Sequence, residues 1–162
     1  MQKNFRLCAG AVVFNEKGQV LLCNRNDTKN DAWQFPQGGI EKNESTQIAA
    51  ERELFEETSI VSVDCIYTMK KPLRYEFPIA IKQNFNKRGI LCDGQDIYFS
   101  LFYFKGNESE IDVFTSQPEF KEYQWQDFSF AVDNIVDFKK QVYLSIQKEF
   151  EPLIKQYLNN LS

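Results

Sequence analysis

Three carboxylates at spacing i, i+3 and i+4, Glu53, Glu56 and Glu57, lie in the stretch Arg52-Glu53-Leu54-Phe55-Glu56-Glu57-Thr58. If that stretch is helical they fall within an arc of roughly 100° and within ~5–6 Å of one another at Cβ. Like charges so close repel unless solvent or a cation relieves them. The ordinary reading is a solvated, glutamate-rich helix face. The chemical reading is a divalent-cation site. Mg²⁺ prefers hard oxygen ligands, usually one or two carboxylates completed by water and substrate phosphate. Gly38-Gly39 stands a short way upstream, and a residue without a Cβ lets backbone approach a phosphate chain closely. Arg52, four residues before Glu56, can offset one charge, while Glu44 and Glu51 add to the negative total. The chain contains no histidine. No Ser-His or Cys-His nucleophile can therefore form, and acid–base work falls to carboxylates, Lys, Tyr or metal-bound water.

Such groups need a scaffold to hold them. The chain has 162 residues, 43% hydrophobic, with 15 Phe, which is enough for a core and excludes wholesale disorder. We expect one domain over residues 1–162. The formal net charge of −4 argues against non-specific coating of nucleic acid, so DNA is not an expected partner, but it leaves room for a local basic pocket. No apolar run approaches the ~18–20 residues of a membrane span, and the N-terminus lacks a signal-peptide core, so the expectation is a soluble, cytoplasmic protein without a membrane partner. Cys8, Cys23, Cys65 and Cys92 form no C-x-x-C pair and read as free thiols. Residues 6–14 and 19–25 read as a hairpin around Asn15-Glu16-Lys17-Gly18. Trp33 to Pro36 is a short extended piece, Gln37-Gly38-Gly39 a tight turn, and Ser45 to Thr58 a helix. On that helix Ile48, Ala50, Leu54 and Phe55 form the face expected to pack on a sheet, opposite the three glutamates. Val61–Met69, Leu73–Phe77 and Ile97–Lys105 read as strands, the last of them central, and residues 80–96 as a mixed loop. Tyr123-Gln124-Trp125 is another short strand. Phe138–Leu158 reads as a long helix that Pro152 should kink or interrupt. The order of elements indicates a mixed α/β (α+β) sandwich with helices packed on a sheet.

Gly38, five residues, Glu44, seven residues, and then Arg52-Glu53-Leu54-Phe55-Glu56-Glu57-Thr58-Ser59-Ile60 resembles a Nudix box, G-x5-E-x7-R-E-U-x-E-E-x-G-U. Every position fits except Ser59, which stands where the family has Gly. That Gly follows the helix and is expected to take positive φ, where Ser costs ~1 kcal/mol unless the turn is remodelled. The resemblance implies the Nudix α/β/α sandwich and a Mg²⁺ site, with Mn²⁺ a possible substitute. It implies that Glu53 and Glu57 are the main ligands, that Glu56 is a further ligand or orients metal-bound water, and that Arg52 holds the glutamates by charge-assisted bonds. Gly38 would present backbone to metal and phosphate, and Glu44 would be a structural partner of Arg52.

Trp33-Gln34-Phe35-Pro36-Gln37-Gly38-Gly39-Ile40 is more specific. It resembles the branch that includes bacterial and plant diadenosine tetraphosphate hydrolases and bacterial RNA 5′-pyrophosphohydrolases. Phe5-Arg6, Leu73-Arg74-Tyr75-Glu76-Phe77-Pro78, Gly94-Gln95 and Pro118-Glu119-Phe120 agree in order, as does Phe138-Lys139-Lys140-Gln141-Val142-Tyr143. The branch usually carries a basic residue where Asp96-Ile97 stand here. By this resemblance Glu119 approaches the metals as ligand or base, with Glu122 as the fallback. For phosphate binding the candidates are Arg6, Arg25 and Lys139. For base stacking they are Tyr75 and Phe138, each with core packing as the competing role. Trp33 and Trp125 are assigned to the core. The expected activity is hydrolysis of a phosphoanhydride in a small nucleotide substrate, with diadenosine tetraphosphate cleaved to ATP and AMP as the first choice. Removal of pyrophosphate from a triphosphorylated RNA 5′ end is the alternative, and an inactive nucleotide-binding module is the rival of another class.

Overall fold

The computed structural model describes residues 2–161. Its strands are β1 (Phe5–Phe14), β2 (Val20–Arg25), β3 (Trp33–Gln34), β4 (Gln37–Gly39), β5 (Val63–Thr68), β6 (Leu73–Glu76), β7 (Gly94–Phe104) and β8 (Phe120–Gln126). Its helices are α1 (Thr46–Thr58), α2 (Ile79–Lys87), α3 (Phe128–Asn134) and α4 (Lys140–Leu161). All belong to one mixed sheet or pack on it.

The layering follows from β1. A strand buried on both faces must be apolar at consecutive positions, and β1 is buried without a break from Cys8 to Phe14. Cys8, Val12 and Phe14 join one hydrophobic core, and Ala9, Ala11 and Val13 a second. α1 covers the second core through Ala49, Ala50 and Leu54. α4 covers the first through Val142, Tyr143, Ile146, Phe150 and Ile154, joined by Phe128, Ala131 and Val132 of α3. The result is the expected α/β/α sandwich. β1 runs parallel to β7 from Phe5 opposite Gly94 to Phe14 opposite Tyr103, so β7 is central as expected. β4 pairs antiparallel with the first half of β1, bringing Gly38 opposite Ala9. No helix among the described residues is long and apolar enough to cross a membrane. All four cysteines are free thiols.

Several local expectations are corrected. Gln37-Gly38-Gly39 is not a tight turn but the short strand β4, and neither glycine takes positive φ. Residues 80–96 are not a loop throughout. They contain α2, which opens on Pro78 without a capping side chain and has no fully buried residue. α3, a seven-residue helix, was not anticipated. The C-terminal helix begins after a single 3-10 turn at Asp137–Lys139 and continues through Pro152 to Leu161. On α1, Ile48 and Phe55 are exposed at 53% and 52%, while Glu57 is buried at 5%. The face turned toward the sheet is therefore Ala49, Ala50, Leu54, Glu57 and Thr58, and the three glutamates do not share the opposite face. Small residues at 49 and 50 let the helix lie close to the strands, and Ile48 and Phe55 are left outside.

Ser59 resolves its own departure from the motif. It takes the left-handed conformation, φ 68°, and its N–H donates to the Phe55 carbonyl at 2.8 Å. The turn is not remodelled. The Ser59 hydroxyl donates to the Asp112 carbonyl at 2.9 Å, a bond glycine lacks, and this offsets part of the backbone strain.

Candidate active site

α1 is aimed by its start. Ser45 caps it, its hydroxyl accepting from the Ile48 N–H at 3.2 Å. One turn further along, Arg52 ties the helix to β4. Its guanidinium donates to both Glu44 carboxylate oxygens, at 2.7 and 2.9 Å, and to the Gly39 carbonyl at 2.8 Å. The same group donates to Glu53 at 2.8 Å and to Glu56 at 3.3 Å. Glu44 is therefore the structural partner of Arg52, which holds its carboxyl down at about 2. Arg52 in turn sets the rotamers of two of the three glutamates.

Gly38 and Glu53 fit each other. A Cβ added at Gly38 would overlap the Glu53 carboxyl, so the absence of a side chain makes room for that acid. Burial raises the Glu53 pKa, with Arg52 acting against it. Glu57 lies deeper. Both its carboxyl oxygens are buried with no hydrogen-bond partner, and burial, with Glu119 and Glu53 adding to it, pushes its pKa up to about 11. A doubly orphaned carboxylate is costly unless something neutralises it. Glu119, on the segment leading into β8, lines the same space as Glu53 and Glu57, held by its carbonyl accepting from the Asn26 N–H at 3.0 Å. Glu122 instead takes a hydrogen bond from Asn24 at 3.2 Å. Among the described residues, no three acidic or cysteine side chains close on one point as they stand. The donor set nonetheless suits a hard divalent ion: Glu57 unpartnered, Glu53 beside a backbone stripped of Cβ, and Glu119 and Glu56 at the rim. Those residues would hold it.

Two clefts meet at this site. The first, about 430 Å³, is lined by Arg6, Arg25, Gln37, Gly38, Gly39, Glu53, Gln95 and Glu119, among others. Arg6 lies across Gly39, where a Cβ would strike its guanidinium. Arg25 is braced by two bonds to Asp27, at 2.9 and 2.6 Å. The second, about 360 Å³, contains Tyr75, Phe138 and Lys139, and shares Arg25, Gln37 and Gln95 with the first. The proposed substrate residues are thus brought to two joined clefts. Their exposure differs from expectation. Tyr75 is buried at 5%, its ring packed against Phe77 and Phe138 and its hydroxyl bonded to Gln95, its cross-strand neighbour. It presents little free face for a base. Phe138, half-buried, presents more. Lys139 is buried at 6%, its ammonium 5.3 Å from the Tyr75 ring centre. Burial, with Arg25 nearby, lowers its pKa to about 8. Asp96 is held by Arg74 at 2.7 Å and lines neither cleft, so it adds no negative charge to them. Trp33 is buried as expected, whereas Trp125 is half-buried and donates to Glu108 at 2.6 Å. Gln37 and Gln95, which join the clefts, were not singled out, although both lie inside motifs already read. Asn84, Phe85 and Arg88 were missed because α2 was.

The NUDIX domain model matches residues 4–145, and the chain belongs to the Nudix family. It is 39% identical over 154 residues to the RNA pyrophosphohydrolase of Erythrobacter litoralis (strain HTCC2594), covering 93% of each chain. It is 37% identical over 157 residues to the RNA pyrophosphohydrolase of Coxiella burnetii (strain RSA 493 / Nine Mile phase I), covering 95% of this chain and 68% of that one. The crystal structure of a C. elegans Ap4A hydrolase binary complex superposes with a TM-score of 0.60 at 19% identity, covering 96% of this chain and 97% of that one, a likeness of fold. The chain is a Nudix pyrophosphohydrolase, of a family that generally uses divalent metal ions such as Mg²⁺.

Proposed function

We propose that the chain removes pyrophosphate from the 5′ end of triphosphorylated RNA, with Mg²⁺ as its ion and Mn²⁺ as a substitute. The likeness to RNA pyrophosphohydrolases along nearly the whole chain carries this reading and reverses the order of the two substrates expected from the sequence. The joined clefts support it. The first cleft offers Arg6 and Arg25 to a polyphosphate beside the acidic cluster. The second offers the edge of Phe138 to the attached nucleoside, under the Lys139 ammonium. A divalent ion bound between Glu53 and Glu57 would clamp phosphate oxygens and lower the pKa of its bound water. The protein's part is to hold the chain so that water lies in line with the scissile P–O bond. Arg52 keeps Glu53 and Glu56 in place, and Glu119 stands where it can accept the proton of the attacking water. Water adds to one phosphorus, the bridging oxygen leaves with its electron pair, and the products are 5′-monophosphorylated RNA and pyrophosphate. The test is a comparison of kcat/KM for a 5′-triphosphorylated oligonucleotide and for diadenosine tetraphosphate, in Mg²⁺ and in Mn²⁺. RNA should be favoured at least ~10-fold, about 1.4 kcal/mol in transition-state binding. A preference for the dinucleotide would return that substrate to first place.

A further inference from the structure

The helix α2 takes no part in either hydrophobic core through a buried residue, yet it forms a wall of the second cleft through Ile81, Asn84, Phe85 and, at its C-terminal end, Arg88. Its attachment is narrow. Phe85 stacks on Phe77 with ring centres 5.4 Å apart, and Lys82 is tied to Glu76 at 2.5 Å and Asp93 at 3.7 Å. Arg88 differs from Lys82. It is exposed, its guanidinium lies 5.9 Å from the Phe85 ring, and it makes no ion pair among the described residues. Lys87, beside it in sequence, does not line the cleft. The cleft thus holds Arg25, which it shares with the cleft beside the acidic cluster, the buried Lys139, and a separate cation without an ion pair on its α2 wall. A ligand ending in a single nucleoside has no further phosphate to offer that cation, whereas an RNA chain that continues past its first nucleoside has a phosphodiester.

Resting on the RNA reading above, we infer that α2 is the substrate-length sensor of this site. Arg88 binds the first internal phosphodiester of the RNA, and Asn84 lies alongside it as a hydrogen-bonding group. Arg88 is a contact for the chain and not for the reacting phosphates, so it acts on binding and leaves the chemical step alone. A guanidinium suits a phosphodiester because its planar fork meets two oxygens at once. Contact with one single-strand phosphate also makes association more sensitive to salt.

The experiment uses two 5′-triphosphorylated tetranucleotides of one sequence, the first with ordinary phosphodiesters, the second with neutral methylphosphonate linkages. On the ordinary RNA, Arg88→Gln should raise KM by about 5–10-fold with kcat within twofold, and Arg88→Lys should recover part of the loss. The slope of log kcat/KM against log salt should become shallower by about 0.7. On the methylphosphonate RNA the same substitution should change KM less than twofold. Lys87→Gln, the same change of charge outside the cleft, should have little effect on either. Equal losses on both RNAs, or equal losses from Lys87→Gln and Arg88→Gln, would overturn the assignment. Failure of the unmodified enzyme to hydrolyse either RNA would overturn the RNA reading itself, and this inference with it.

Discussion

Glu57→Gln should stabilise the metal-free protein at neutral pH and do nearly nothing at pH 5. The ordinary value for this carboxyl is 4.5, and in the fold it is pushed up to about 11. Between those two values the folded chain keeps a proton that the unfolded chain releases. The unfolded state then binds fewer protons, and stability falls as pH rises. The contribution of the protonated acid is complete below the unfolded value and is lost progressively above it. One proton corresponds to about 1.4 kcal/mol per pH unit. From pH 5.5 to 7.5 the upper bound on the loss from this one group is therefore about 3 kcal/mol. For a chain of this length that is a fall in melting temperature of roughly 6–12 °C. Glutamine has the same shape and no charge to release, so the variant should not share this part of the fall. The assay is thermal unfolding in chelator across pH 5–8, read as the difference between wild type and variant. A divalent ion stabilises the wild type by taking the place of that proton, so the rise in melting temperature on adding Mg²⁺ should grow with pH. In Glu53→Gln/Glu57→Gln the rise should vanish. If wild type and Glu57→Gln lose stability in parallel as pH rises, the buried proton is not on Glu57 and the site has been misread.

Glu56→Gln removes a charge at the rim of the site and should lower kcat by ~10²-fold with stability unchanged or improved, measured on the triphosphorylated oligonucleotide. Near-normal turnover would reduce Glu56 to a partner of Arg52. Lys139, titrating at about 8, should lose its charge in mildly alkaline solution, so KM should climb as pH passes through 8, while Lys139→Arg should flatten that profile. Ser59→Ala keeps the positive φ and loses the bond to Asp112, and should lower the melting temperature by about 2–4 °C. Ser59→Gly exchanges that bond for relief of backbone strain and should stay within about 2 °C of wild type. Tyr75→Phe removes the hydroxyl that anchors Gln95 where the two clefts join, so it should raise KM several-fold while Phe138→Ala raises it further. A silent Tyr75→Phe together with a larger KM rise from Tyr75→Ala than from Phe138→Ala would restore Tyr75 as the stacking surface.

What the sequence showed and what it hid divide along a physical line. β1, β2 and β7 were legible because a strand covered on both faces is apolar over consecutive positions, as at Cys8–Phe14, Val20–Cys23 and Leu101–Phe104. Arg52, Glu53 and Gly38 were legible because they stand at fixed positions of the Nudix box, Gly38 on β4 and the other two on α1. α2 was hidden because it is only nine residues long and opens on Pro78 with no capping side chain and no acid in its first turn, so the usual marks of a helix start are missing and its Phe85 and Ile81 look like scattered apolar residues in a loop. The face of α1 was misjudged for a different reason. Periodicity assumes that charge points outward, so it places Glu57 with Glu53 and Glu56 in solvent and turns Ile48 and Phe55 inward. The fold does the opposite at Glu57, which is 5% exposed, and at Phe55, which is 52% exposed. A sequence selected for stability alone would put an apolar residue at position 57, since a partnerless buried carboxyl destabilises the chain by itself. Its presence there makes sense only if something that neutralises it is bound during work. The residue that defeats the pattern-based reading of the helix is therefore also the strongest structural support for the divalent-ion site proposed on it.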